Sequence, residues 1–211
     1  MQHRNLHSRA LRHYISQSHE QISIQDEILD FWFAPRGSAE HGQTRELWFR
    51  KDGAVDQSIR ARFGAAVETA LAGGFGEWTT PRGALARVLL LDQFTRNIYR
   101  QTPRAFAGDI LALGISRAAV ANGDDRALMP VERWFLYMPF EHAEEPAAQE
   151  TSLELFARLR DETGLSEPVM WAERHAAVIR RFGRYPHRNA ILGRESTAEE
   201  IEYLATVGRG F

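Results

Sequence analysis

Apolar positions in this chain recur at intervals of three and four, seldom at two. Val55, Ile59, Phe63, Val67 and Leu71 form a nearly uninterrupted i, i+4 stripe, which on a 3.6-residue period is one face of a helix. Asp52 can cap its first turn, and Gly73-Gly74 ends it. Ser23-Ile24-Gln25-Asp26 sets a capping hydroxyl three places before an acid, opening a run to Phe33 that Ala34-Pro35 stops. Thr80-Pro81 places a cap before a proline suited to the first helical position.

Further helices are expected along the rest of the chain. One starts at Asp109, with Ile110, Leu113, Ala118 and Ala121 as its apolar positions, and ends at Asn122-Gly123. A short aromatic one, VERWFLYM, begins at Pro130 and is interrupted by Pro139. The next runs from Pro146 to Gly164 with Leu153, Phe156 and Leu159 inward, and another opens at Pro168. Ser196 and Thr197, followed by Glu199 and Glu200, form two overlapping capping boxes before IEYLATV. Sustained alternation is scarce and no Asn-Gly hairpin turn occurs. The pattern predicts an all-α chain of roughly seven to nine helices with short connections.

Composition changes this picture little but narrows the chemistry. Residues 1–22 carry Arg4, Arg9 and Arg12 and no acid before Glu20, and they lack the continuous apolar stretch of a secretory signal. They read as a poorly ordered tail, and residues 23–211 as one helical domain. The absence of cysteine excludes disulfides, thiolate metal sites and a thiol nucleophile. A net charge of −2 supplies no general field toward nucleic acid. No apolar run approaches the ~18–20 residues of a membrane span. The expectation is a cytoplasmic protein with neither nucleic acid nor membrane as partner, its oligomeric state left open. Lys51 is the only lysine among 26 basic residues, which fits arginine-rich codon usage and, at particular positions, bidentate recognition of carboxylate or phosphate.

Three stretches set polar residues inside apolar surroundings. In LLLDQFTRNIYR, Asp92 and Arg96 fall one helical turn apart, with Gln93 and Asn97 as a second such pair beside them. A carboxylate among leucines requires partners. In Pro139 to Glu145, the carboxylates Glu141, Glu144 and Glu145 surround His142, an arrangement that would raise its pKa. In the third, Trp171, His175, Val178 and Phe182 share a helical face, so His175 reads as a hydrogen-bonded core residue. The compact turn that follows, Phe182 to Asn189, packs Arg184, His187, Arg188 and Asn189 about Gly183 and Pro186. It suits either the satisfaction of helix ends or an anion.

These segments, with ILDFWF and LWFRKD upstream, resemble bacterial domain-of-unknown-function family 924 over roughly Ile24 to Leu204. The resemblance implies antiparallel helix pairs stacked as in tetratricopeptide-repeat proteins, and it brings no established activity. Its motif positions fall on Asp92, Gln93, Arg96 and Asn97; on Phe140, Glu141 and His142; and on Gly183, Arg184, Pro186, His187, Arg188 and Asn189. Ala143 stands where the pattern leads one to expect serine, so a serine nucleophile there is doubtful.

Three functions fit. The favoured one is recognition of an anionic small molecule or peptide by Asp92, Gln93, Arg96, Asn97, Glu141, His142, Arg184, His187, Arg188 and Asn189. The second is a small hydrolase-like enzyme acting on an anionic metabolite or phosphoester, with His142 or His187 transferring protons and Asp92 or Glu141 orienting the ring. The third is a purely structural polar cluster. No cofactor and no metal are expected; a divalent metal held by His142, His187 and a carboxylate is the variant. A histidine–carboxylate hydrogen bond beside a small-molecule pocket would favour an enzyme, and a long open groove a peptide binder.

Overall fold

The predicted caps are where the helices begin. In the computed structural model, which describes residues 22–207, Ser23 Oγ accepts the Asp26 amide at 3.1 Å and opens α1 (Ile24–Phe33). Asp52 accepts from the Ala54 and Val55 amides and opens α2 (Gly53–Leu71). Thr80 accepts the Gly83 amide at 3.0 Å and opens α3. This helix is α-helical over Pro81–Val88, π-helical over Leu89–Phe94 and α-helical again over Thr95–Ile98. There follow α4 (Asp109–Asn122), α5 (Pro130–His142), α6 (Pro146–Thr163), α7 (Glu167–Phe182) and α8 (Ala198–Val207). Among the described residues there are eight such helices and no strand, as the periodicity predicts. The tail expected over residues 1–22 lies, apart from Ile22, outside the described residues.

α3 is the axis of the bundle. Every residue from Leu89 to Phe94 is buried, so this stretch has neighbours on all sides, α2 and α4 among them. The Thr95 hydroxyl donates to the Leu91 carbonyl at 2.7 Å within the widened turn. Short links at 143–145 and 164–166 fold α6 back on α5 and α7 back on α6. Aromatic rings fill the centre: Trp32 meets Phe94 edge-on at 5.4 Å and Phe135 at 5.6 Å. Each such side chain contributes about 2–3 kcal/mol by burial.

Three expectations are corrected. Pro139 does not interrupt its helix; α5 continues through it to His142. A proline inside a helix removes one hydrogen bond and costs about 3 kcal/mol, an amount offset by burial of Trp134, Phe135, Tyr137 and Phe140 on the same helix. On α4 the buried positions are Ala112, Leu113, Ser116 and Ala119, while Ile110 is 86% exposed. The small face turns inward because α4 begins hard against α3: a Cβ on Gly108 would sit 2.2 Å from the Leu91 carbonyl oxygen. Of the two capping boxes only Thr197–Glu200 forms, with reciprocal bonds of 3.2 and 2.8 Å. Ser196 instead accepts from Asn189, and Glu199 pairs with Arg181.

Candidate functional site

The late turns of α3, the end of α5 and the turn after α7 converge on a cavity of about 490 Å³. At its back, Asp92 is fully buried. Its Oδ1 accepts from His142 Nδ1 at 2.7 Å and lies 3.0 Å from Arg96 Nη1, and its Oδ2 accepts from the Gln93 amide at 2.6 Å. The one-turn spacing of Asp92 and Arg96 is thus an ion pair, and Arg96 also donates to the Asp92 carbonyl at 2.6 Å. Gln93 and Asn97 do not pair. Gln93 reaches Asp92, while Asn97 donates to Asp56 on α2 at 2.8 Å beside the Arg100–Asp56 ion pair.

The second stretch divides its acids. Glu141 Oε1 faces His175 Nδ1 at 3.2 Å, Glu144 accepts from Arg194 and from the Tyr185 amide, and Glu145 pairs with Arg117. His142 therefore meets Asp92 rather than its sequence neighbours. The backbone here is held firmly: Gln149 donates to the Glu141 and Ala143 carbonyls at 2.8 and 2.7 Å, and the Tyr185 hydroxyl donates to Glu141 O at 2.5 Å.

The third stretch separates into two groups. His187 and Arg188 line the cavity. The Arg188 guanidinium lies over Phe106 at 4.7 Å and Tyr185 at 4.5 Å, and it donates to Asp109 Oδ2 at 3.4 Å. Its Nε is buried with no hydrogen-bond partner among the described residues. Arg184 and Asn189 point elsewhere, into a cluster around Glu200. Arg184 holds both Glu200 oxygens at 2.7 and 2.8 Å, and the Asn189 amide reaches Glu200 at 3.2 Å. They are not among the residues lining the cavity; they fasten α8 to the turn.

Burial dominates the titration of this site. It pushes the Glu141 carboxyl up to about 8, aided by the negative charge of Asp92. Burial would also raise Asp92, but Arg96 and His142 more than offset it and hold the carboxyl below its ordinary range. Contrary to the sequence expectation, His142 falls below its ordinary value, because burial and Arg96 outweigh the attraction of Asp92. His175 falls to about 3 by burial and the nearness of His142, and His187 to about 4 by burial and Arg188. At neutral pH the imidazoles and Glu141 are uncharged. Asp92 and Asp109 balance Arg96 and Arg188, and Lys51 adds a positive charge at the cavity wall.

Sequence reasoning did not single out Asp109, which grips Arg96 through both oxygens at 3.0 and 3.1 Å and bridges it to Arg188. As an acid opening a helix it looks like a capping residue. His175 lines the cavity while donating to the Trp171 carbonyl at 2.8 Å, so it is both core and wall. The aromatic wall of Phe49, Phe106, Trp134 and Trp171 was visible as residues but not as one surface. Among the described residues no three of the His, Asp and Glu side chains are placed to hold a metal ion, so the His142–His187–carboxylate set does not assemble.

A family model described as a bacterial protein of unknown function, DUF924, matches residues 28–208. The solved structure of the protein of unknown function ATU0120 from Agrobacterium tumefaciens is similar, with 37% identity and a TM-score of 0.76 over 87% of this chain and 97% of that one. No curated protein matches the chain.

Proposed function

The chain belongs to the DUF924 family, and we propose that it binds a small anion bearing an aromatic or similarly flat apolar group. The observation that carries this reading is Arg188, a buried guanidinium whose one side-chain hydrogen bond among the described residues is a 3.4 Å contact to a carboxylate shared with Arg96. A buried cation with incomplete compensation favours a further anion. The cavity volume falls within the ~300–1,000 Å³ of small-molecule sites. Phe106, beside the guanidinium, and Trp171, elsewhere in the cavity lining, offer flat surfaces. A cavity of about 490 Å³ suits a small molecule better than an extended peptide.

Calorimetric titration with 3-phenylpropanoate and with its neutral counterpart 3-phenylpropanol tests this. The anion is expected to bind about 10- to 100-fold more tightly, corresponding to one or two charge-assisted hydrogen bonds. Arg188→Gln is expected to abolish that preference. Equal affinities for acid and alcohol, or no binding of either, would overturn the reading.

A further inference from the structure

The cavity holds a base and an acid in complementary protonation states on adjacent residues. Asp92, ionised beside Arg96, can only accept, so His142 Nδ1 carries the proton of the 2.7 Å bond. Nε2 is then the basic nitrogen of a ring that lines the cavity. The Trp171 carbonyl likewise can only accept, so His175 Nδ1 is the donor toward it, with Glu141 Oε1 3.2 Å from the same nitrogen. That leaves Glu141 Oε2, buried and without a hydrogen-bond partner among the described residues, as the oxygen that bears a proton. Its uncharged state at neutral pH follows from burial beside Asp92. Among the described residues no serine or threonine hydroxyl lines the cavity.

We propose that this site catalyses proton transfer at the carbon beside a carbonyl group, the enolisation of a 2-oxo acid anion that carries an aryl group. The inference rests on the binding reading above. In that arrangement Arg188 holds the carboxylate and the aromatic wall takes the ring. His142 Nε2 removes a proton from C3. The C3–H electron pair becomes the C2=C3 double bond, and the carbonyl π pair moves to oxygen, which takes the proton of Glu141 Oε2. The step leaves an enol, an imidazolium stabilised by Asp92 and a Glu141 carboxylate; reversal restores all three. Charge is conserved, and no oxidant, reductant or second substrate enters. His142 and Glu141 are the catalytic residues, Asp92 a positioning residue.

Phenylpyruvate in deuterated buffer at neutral pD, without borate, is the probe, with loss of its C3 proton signal followed by NMR. The whole protein is expected to accelerate exchange, and Glu141→Gln and His142→Asn each to lower the acceleration by about 10²- to 10⁴-fold. Affinity for 3-phenylpropanoate is measured in wild type and in both variants, and exchange is compared at saturating phenylpyruvate, so that a change in binding and a loss of proton transfer are read apart. Exchange at the buffer rate with 3-phenylpropanoate still bound would overturn proton transfer and leave the binding reading intact. Exchange unaltered in both variants would overturn the assignment of acid and base. If 3-phenylpropanoate and phenylpyruvate both fail to bind, the two readings fall together.

Discussion

Asp92 Oδ1 and His142 Nδ1 lie 2.7 Å apart across a separation of 50 residues, joining the middle of α3 to the end of α5. Asp92 is fully buried, where an uncompensated charge is costly. Asp92→Asn keeps the shape but removes the negative charge that Arg96 and His142 share. The expected loss is about 3 kcal/mol, measured by urea unfolding at pH 7. The asparagine amide can donate to Nδ1, so the ring proton is expected to move to Nε2, visible in the nitrogen shifts of His142. An unchanged tautomer would show that Asp92 does not orient the ring.

Stability should decline between about pH 7.5 and 8.5 because of Glu141. Its folded pKa of about 8 is above the unfolded value near 4.5, so the folded state binds more protons and its contribution is lost as pH rises. His142, His175 and His187 are all shifted down. Their unfolded forms take up protons as pH falls through about 6.5 and are nearly proton-free above about pH 7.5, so their contributions are lost as pH falls below that. The window above about 7.5 thus isolates Glu141, with a slope of up to about 1 kcal/mol per pH unit. Glu141→Gln should flatten it. An equal decline in that variant would place the titration on another group.

Gly108 sets the approach of α4 to the π-helical turn of α3. Its φ of −92° is open to any residue, so the constraint is space alone. Gly108→Ala pushes against the Leu91 backbone and should cost about 1–3 kcal/mol. Because Asp109 is the next residue, the same displacement should loosen its grip on Arg96 and Arg188 and weaken 3-phenylpropanoate binding. Thermal unfolding with calorimetry checks both effects. An alanine variant with wild-type stability and affinity would contradict this close approach.

Arg184→Ala should separate structure from site. Arg184 is tied to Glu200 and the Glu195 carbonyl rather than to the cavity. The variant is expected to unfold at a lower temperature, since the buried Glu200 loses its bidentate partner. Affinity for 3-phenylpropanoate should not change. A selective loss of affinity at unaltered stability would return Arg184 to the binding site.

The local features of this protein are determined by its sequence. Ser23, Asp52, Thr80 and Thr197 cap the helices they precede, and Gly164 and Gly183 end theirs with positive φ. Caps, prolines and i, i+4 stripes act within a turn or two, so nearby residues suffice to decide them. The Asp92–Arg96 pair was legible for the same reason. Failures begin where one element meets another. Pro139 stays helical because of what α5 buries, and Ile110 faces outward because Gly108 brings α4 against α3. Neither fact is local.

The site follows the same division. Residue types and the three stretches that carry them were visible, but their partners were not. His142 stands among glutamates in the sequence and against Asp92 in space; Arg184 and Arg188 stand four apart and serve different clusters. The tertiary structure decided these pairings because a carboxylate or guanidinium moved out of water must take whichever opposite charge packing brings within about 3 Å. Burial also set the protonation of Glu141, His142, His175 and His187, and burial is a property of the folded bundle rather than of the order of residues along the chain.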